Sequence, residues 1–423
     1  MTSIDAAAAD VPRASVPRAG AHGALARFVG RGAAFWRLIG RGSLLLMCTL
    51  GIYRFWLTTD IRRYLWSNTE LADESFEYTG TARELLLGFL IALAVLVPLY
   101  SGFFLLTLTL GEVWGPLGLI VLTFLGQYAV YRARRYRLSR TIYRGVRFHQ
   151  DGSAWRYSLC AVLWWSLVVL SLGLAYPFAQ SRLEHFKMRH TFFGNLPGRF
   201  EGSGWSLLLR GILLWALAVV PLLIGATATL AAIDWEALSA SAGALDRSNL
   251  LEASGLAGAF VFAVLTGIWL LLAAALLYPI FQAIVLRWWV SGLRFGEVAV
   301  RSRLRTAQVY AVYARFVGYA ALFTLVAAAV VGVGGFGLAT IAAEGSSMPQ
   351  EIVTTILGLA AYMATALGYS AIYQATVKLG LWRCVIETLD VANVAALAAV
   401  AAGGEAASPI GEGLADALNV GGL

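Results

Sequence analysis

The sequence predicts an all-α fold, a polytopic transmembrane helical bundle, and three observations carry that expectation. Of 423 residues, 59% are hydrophobic and only 13% are charged. Soluble domains run at about 45–50% apolar and about 25% charged, and a soluble chain of this length could not hide so much apolar surface in one core. The apolar residues also gather into eight runs near the length of a bilayer span, about 20 residues. Finally, the charged residues fill the short segments between those runs; residues 132–156 alone hold eight arginines and one acid, Asp151.

Residues 1–42 are rich in Ala, Arg and Gly and contain no apolar run of signal-peptide length. They read as a disordered tail with no cleaved signal. The apolar runs follow at 43–57, 85–108, 113–131, 157–178, 206–233, 256–286, 309–341 and 352–380. The first is short and carries Arg54 near its end. The second and third meet at Gly111-Glu112, so they form a tight hairpin. The sixth and seventh are long enough to tilt or to extend past the bilayer. Residues 391–423 are Ala/Gly-rich with Pro409, and read as a short helix plus a loose tail.

An internal duplication organises the runs. Gly51 and Gly173 are 122 residues apart, and so are Thr69 and Thr191. Three segments share one pattern, in which an aromatic precedes Thr by five residues and Phe precedes Gly by four. They are Tyr64, Thr69, Phe76 and Gly80; Tyr136, Thr141, Phe148 and Gly152; and Phe186, Thr191, Phe200 and Gly204. A degenerate copy lies at Trp288–Arg305 and a remnant at Tyr373–Thr388. The runs then group as three, three and two: a repeat over 43–156, a second over 157–308, and a pair over 309–390. If each unit spans three times, the second is inverted, a hallmark of many secondary transporters.

Charge opposes that inversion. Segments 132–156 and 287–308 are both rich in arginine and read as cytoplasmic, whereas 234–255 and 342–351 are acidic and read as external. Either 157–178 is re-entrant, or it crosses and the rule fails on one half. The 22 mostly apolar residues of that run favour crossing.

The stretch Thr49-Leu-Gly-Ile-Tyr-Arg-Phe-Trp56, with Arg62-Arg-Tyr-Leu-Trp-Ser-Asn-Thr69, Phe76-Glu-Tyr-Thr-Gly80 and Leu172-Gly-Leu-Ala-Tyr-Pro177, resembles the YjgN-like family of bacterial inner-membrane proteins of unknown function. The likeness covers residues 43–390. It implies a multi-pass protein of the bacterial cytoplasmic membrane, and brings no activity, substrate or catalytic residue with it.

Other motifs speak against common chemistries. Gly332-Val-Gly-Gly-Phe-Gly337 matches a dinucleotide fingerprint in form but lies inside an apolar run, where small residues serve close helix packing. The histidines His22, His149, His185 and His190 lack metal-ligand spacing, and Cys48, Cys160 and Cys384 stand apart. No catalytic, cofactor or metal residues are expected, and the chain reads as a non-enzyme. The net charge of +8 is carried by arginine, with Lys187 and Lys378 as the only lysines, and its place between apolar runs points to lipid rather than nucleic acid.

Two residue sets remain as candidates. Arg62, Arg63, Tyr64, Trp66, Arg134, Arg135, Tyr136 and Arg137 interleave aromatic and guanidinium groups, which suits either an interfacial belt or an anionic headgroup site. Tyr362, Tyr369 and Tyr373 share one helix face and read as core or pore-facing. Arg54, Glu84, Arg210, Arg315 and Lys378 sit near helix ends, where long side chains snorkel. The expected function is a transporter-like or channel-like bundle for a small solute or lipid. The alternative is a structural protein that binds membrane lipids, anionic ones included.

Overall fold

The computed structural model describes residues 24–112, 114–236, 256–343, 350–418 and 420. The first part of the expected N-terminal tail, with most of the acidic segments at 234–255 and 342–351, lies outside the described residues.

Ten short strands close into an antiparallel barrel, which overturns the all-α expectation. The chain enters through β1 (Ala24–Phe28), leaves as α1 (Gly32–Cys48), returns as α2 (Arg54–Ser67) and re-enters as β2 (Thr69–Leu71). The same course follows four more times. The second is β3 (Glu74–Tyr78), α3 (Ala82–Leu110), α4 (Trp114–Ser139) and β4 (Thr141–Tyr143). The third is β5 (Val146–Gln150), α5 (Ala154–Leu170), α6 (Tyr176–Arg189) and β6 (Thr191–Phe193). The fourth is β7 (Leu196–Phe200), α7 (Gly204–Ala231), α8 (Leu256–Ser291) and β8 (Leu293–Phe295). The fifth is β9 (Val298–Ser302), α9 (Thr306–Ala343), α10 (Gln350–Tyr373), a π-helical turn (Gln374–Lys378), α11 (Leu379–Glu387) and β10 (Leu389–Ala392). β10 pairs with β1 and shuts the ring. A 3₁₀ turn (Val394–Ala399) and α12 (Ile410–Ala417) complete the described chain.

The register repeats as well as the order. The last residue of each incoming strand pairs with the first residue of the next short strand: Phe28 with Thr69, Tyr78 with Thr141, Gln150 with Thr191, Phe200 with Leu293, and Ser302 with Leu389. Five helical hairpins on one barrel therefore replace the grouping of three, three and two. The third copy of the sequence pattern is also corrected by two residues, because Gly202 stands where Gly80 and Gly152 stand. At Gly30, Gly80 and Gly202 a Cβ would meet the ring of Phe28, Tyr78 or Phe200 at 2.5–2.7 Å, so only glycine lets that ring fold back.

Local chemistry explains the short strands. Two-residue turns join β2 to β3, β4 to β5, β6 to β7 and β8 to β9. Ala72-Asp73 and Arg144-Gly145 have positive φ at both positions, whereas in Gly194-Asn195 and Gly296-Glu297 only the glycine does. Both forms match the twist of a hairpin. The strand-leading threonines end the preceding helices: Thr69, Thr141 and Thr191 each donate a hydroxyl hydrogen bond to the carbonyl four residues earlier, at 2.7–2.9 Å.

Among the described residues, six helical stretches are long and apolar enough to cross a membrane, within α3, α4, α7, α8, α9 and the run from Thr355 to Glu387. The expected number was eight. The first and fourth expected runs form the short hairpins α1–α2 and α5–α6 instead. Their tips share one turn, with Leu50-Gly51 and Leu172-Gly173 all at positive φ. Helix α5 is shorter than the six long stretches, and β5 and β6 are neighbours, so residues 157–178 belong to a short excursion that starts and ends at the barrel. The arginine-rich segments 132–156 and 287–308 consequently share one end of the molecule, and the charge conflict disappears.

Outward surfaces are apolar. Leu87, Leu105, Leu119, Leu213, Leu271 and Leu325 are exposed on the long helices, and Leu50 (81%) and Leu170 (82%) at or beside the short tips. Exposure on this scale needs a lipid solvent. Tyr143, Phe193, Val298 and Val391 of the barrel strands pack together with Leu397 of the 3₁₀ turn.

Candidate functional site

The returning helix of each hairpin ends one residue before its short strand, so one face of its last turns points at the barrel axis. Residues seven and four positions ahead of the strand share that face. They supply Arg62 from α2, Arg134 and Arg137 from α4, Glu184 and Lys187 from α6, Trp289 from α8, and Trp382 and Val385 from α11. One turn above Trp382, the π-helical turn brings in Lys378. Such turns are frequent at functional sites.

These groups converge on one another. Arg62 pairs with Glu412 of α12, their side chains 4% and 5% exposed, and Arg62 donates a second bond to the Tyr78 hydroxyl at 3.1 Å. Arg137 lies 3.9 Å from the other Glu412 oxygen. Glu184 pairs with Lys187 and accepts from Trp289 Nε1 at 3.0 Å. Arg134 attracts Glu184 and repels Lys187, and Arg62 repels Lys378. Five cations therefore face two carboxylates, and both lysines of the chain belong to the set.

Burial sets the electrostatics. Burial lowers the Arg62 pKa, but Glu412 and Tyr78 more than offset it, so the guanidinium is held above its ordinary value. Burial likewise disfavours the Glu184 carboxylate, yet Lys187 and Arg134 prevail and hold its pKa below the usual range. Burial, then Arg134, pulls Lys187 down against the attraction of Glu184. Unbalanced buried charge is costly unless hydrogen bonds or a counter-ion satisfy it.

A tryptophan layer separates the charges from the barrel. Trp66 and Trp382 stack at 5.0 Å, and their Nε1 groups donate to Thr141 Oγ1 and Thr69 Oγ1, each at 3.0 Å. Trp289 and Trp382 help roof an apolar chamber of about 320 Å³, walled by Phe76, Tyr143, Phe148 and Phe295.

Helix α12 is the unexpected part. Its Gly413 backbone sits against Gly88 of α3, where a Cβ would come within 1.8 Å, and Gly411 sits against Arg132 of α4. Leu414 and Ala415 join Ala92, Leu96, Ala129 and Ala133 in a common core. Asp416 pairs with Arg54.

The candidate residues divide. Arg62, Arg134 and Arg137 form the axial cluster. Tyr136 is buried beside it and donates to Glu84 at 2.7 Å, which also pairs with Arg140. Arg63 donates to the Gly80 carbonyl at 3.0 Å and Tyr64 to the Arg31 carbonyl at 2.7 Å, so both staple loops. Arg135 is half-buried beside Tyr131. Tyr369 bonds Thr324 at 2.6 Å and Tyr373 stacks edge-on against Phe316, both on α9, while Tyr362 is 71% exposed. Glu184, Lys187, Glu412 and Asp416 were not anticipated. The three-residue spacing of Glu184 and Lys187 was a visible signal; nothing local marks Glu412.

A barrel ringed by lipid-length helices, with charge gathered on its axis, defines an integral membrane protein. The chain belongs to the family described as bacterial protein of unknown function (DUF898), whose model matches residues 25–417. That match runs from β1 through α12, further at both ends than the expected 43–390. No curated protein and no solved structure matches the chain.

Proposed function

We propose that the protein is a channel-like or transporter-like bundle of the bacterial cytoplasmic membrane that admits a small anionic solute to its axis. One observation carries the reading: among the described residues, five buried or half-buried cations meet only two carboxylates where the helices converge on the barrel. Such a concentration of positive charge in a weakly polar setting attracts anions strongly. Glu412 supplies a carboxylate to Arg62 and Arg137, and so serves as a built-in counter-ion. The polar set extends towards the bilayer through Tyr313, which donates to Gln282 at 2.5 Å. The shared position of the arginine-rich segments supports a cytoplasmic barrel. The repeated register supports descent of the five hairpins from one β-α-α-β unit.

Efflux of chloride, inorganic phosphate and acetate from proteoliposomes tests this. At least one anion is expected to leave faster than from protein-free vesicles, and Arg134→Gln is expected to slow it by about tenfold. Absence of flux for all three, with no shift in Tm on adding them, would sink the reading.

A further inference from the structure

A second site lies away from the axis, in the lipid-facing layer. The α5–α6 tip leans against α7 and α8 and leaves a cleft of about 420 Å³, lined by Gly173, Leu174, Pro177, Gly211, Trp215 and Phe281 among others. Its walls are almost wholly apolar, and its size falls in the range of ligand cavities, about 300–1,000 Å³. The α8 wall from Leu270 to Ile284 rises about 21 Å, which exceeds one leaflet of a bilayer core about 30 Å thick.

The cleft ends in a charge. Ile284 also borders a second pocket of about 260 Å³ whose other lining residues are Arg210 of α7 and Arg287 of α8. Neither arginine has an ion-pair partner among the described residues. Arg287 is anchored through Nε to the Ala283 carbonyl at 3.2 Å and through Nη2 to Thr306 at 3.5 Å, leaving Nη1 free of both bonds. Arg210 stands about 9 Å along α7 from its barrel end, a depth suited to the headgroup region. Snorkelling accounts for one arginine at such a depth; two guanidinium groups on one small pocket, continuous with an apolar cleft, ask for a shared anion carrying a hydrocarbon tail.

We infer that this cleft binds an anionic phospholipid, with an acyl chain between the α5–α6 tip and helices α7 and α8, and its phosphate between Arg210 and Arg287. The site explains why a hairpin too short to cross the membrane is held against two helices that do cross: lipid fills the seam. It stands independently of the axial anion path.

The test uses the full-length protein extracted from vesicles of equal phosphatidylglycerol and phosphatidylethanolamine, with retained lipid counted by native mass spectrometry. Wild type is expected to keep phosphatidylglycerol over phosphatidylethanolamine by about tenfold. Arg210→Gln with Arg287→Gln should bring that ratio near one, while the charge-keeping Arg210→Lys with Arg287→Lys should hold at least half of it. Gly211→Phe fills the cleft from a position where a Cβ meets no neighbour, so the fold should survive and the retained phosphatidylglycerol should fall. An unchanged ratio in the glutamine variant, unchanged retention in Gly211→Phe, or equal loss in the lysine and glutamine variants would each overturn the inference. Displacement of the signal by free glycerol phosphate would do so too, because the tail would then contribute nothing.

Discussion

The Arg62–Glu412 pair shows what a buried ion pair does at the residue level. Both side chains are almost fully covered, so neither charge can turn to water when its partner is lost. Glu412→Leu should cost about 3–5 kcal/mol, the usual penalty for stranding one buried charge. Arg62→Met and Arg137→Met combined with Glu412→Leu should recover most of that loss, which apparent Tm values in detergent would reveal; a triple variant no better than the single would show that charge stranding is not the cause. Glu184 adds a pH dependence. Its folded-state pKa lies below its unfolded one, so the unfolded chain binds more protons as pH falls. The stabilisation is complete above the unfolded carboxylate value, about 4.3, and fades as pH drops through the lower folded value. The Tm of wild type should therefore fall on acidification below about pH 5, and more steeply than that of Glu184→Gln. Part of this site was legible. The arginines at 62, 134 and 137 stood out by composition, and the scarcity of lysine marked Lys187 and Lys378 in hindsight. Glu412 was not legible, because its partners are hundreds of positions away and no local pattern announces a long-range contact.

At the scale of elements, α12 behaves as a wedge whose fit depends on two glycines. The closest approach is backbone to backbone at Gly413 and Gly88, so relief by rotating a side chain is impossible there. Gly413→Leu should push α12 out of its seat between α3 and α4. Limited proteolysis in detergent would then cut the connecting stretch 401–408, which has no regular secondary structure, much faster than in wild type. Equal cutting rates would mean that α12 tolerates the added bulk. The strands were the least legible elements. Four of the ten have only three residues, too few for alternation to register, and each follows a helix after a single residue. Their turns did leave a trace, in Tyr-Arg-Gly-Val (143–146), Phe-Gly-Asn-Leu (193–196) and Phe-Gly-Glu-Val (295–298). Dipeptides of this kind between apolar residues are hairpin signals. Surrounding arginines drew attention to membrane anchoring instead.

Topology is decided at the scale of the whole molecule. Hydropathy counted eight apolar runs because a short hairpin and a span share the same composition; only the closed ring of strands tells them apart. Each of five hairpins leaves the barrel and returns to it, so every β-turn must lie on the same side of the membrane. The turn at Arg144-Gly145 precedes the short α5–α6 hairpin and the turn at Gly194-Asn195 follows it. A crossing at 157–178 would put these two turns on opposite sides. The barrel puts them on one side, and in the proposed arrangement, which rests on the arginine excess nearby, that side is the cytoplasm. Gly145→Cys and Asn195→Cys, each placed in a background with Cys48, Cys160 and Cys384 replaced by serine, separate the two arrangements. An impermeant maleimide should label both positions in inside-out vesicles and neither in intact spheroplasts. Opposite labelling would dismantle the single-ended barrel. The hairpin tip offers an internal control: Leu172→Cys should resist the reagent in both preparations, since its exposed apolar neighbours place it within lipid rather than at either surface.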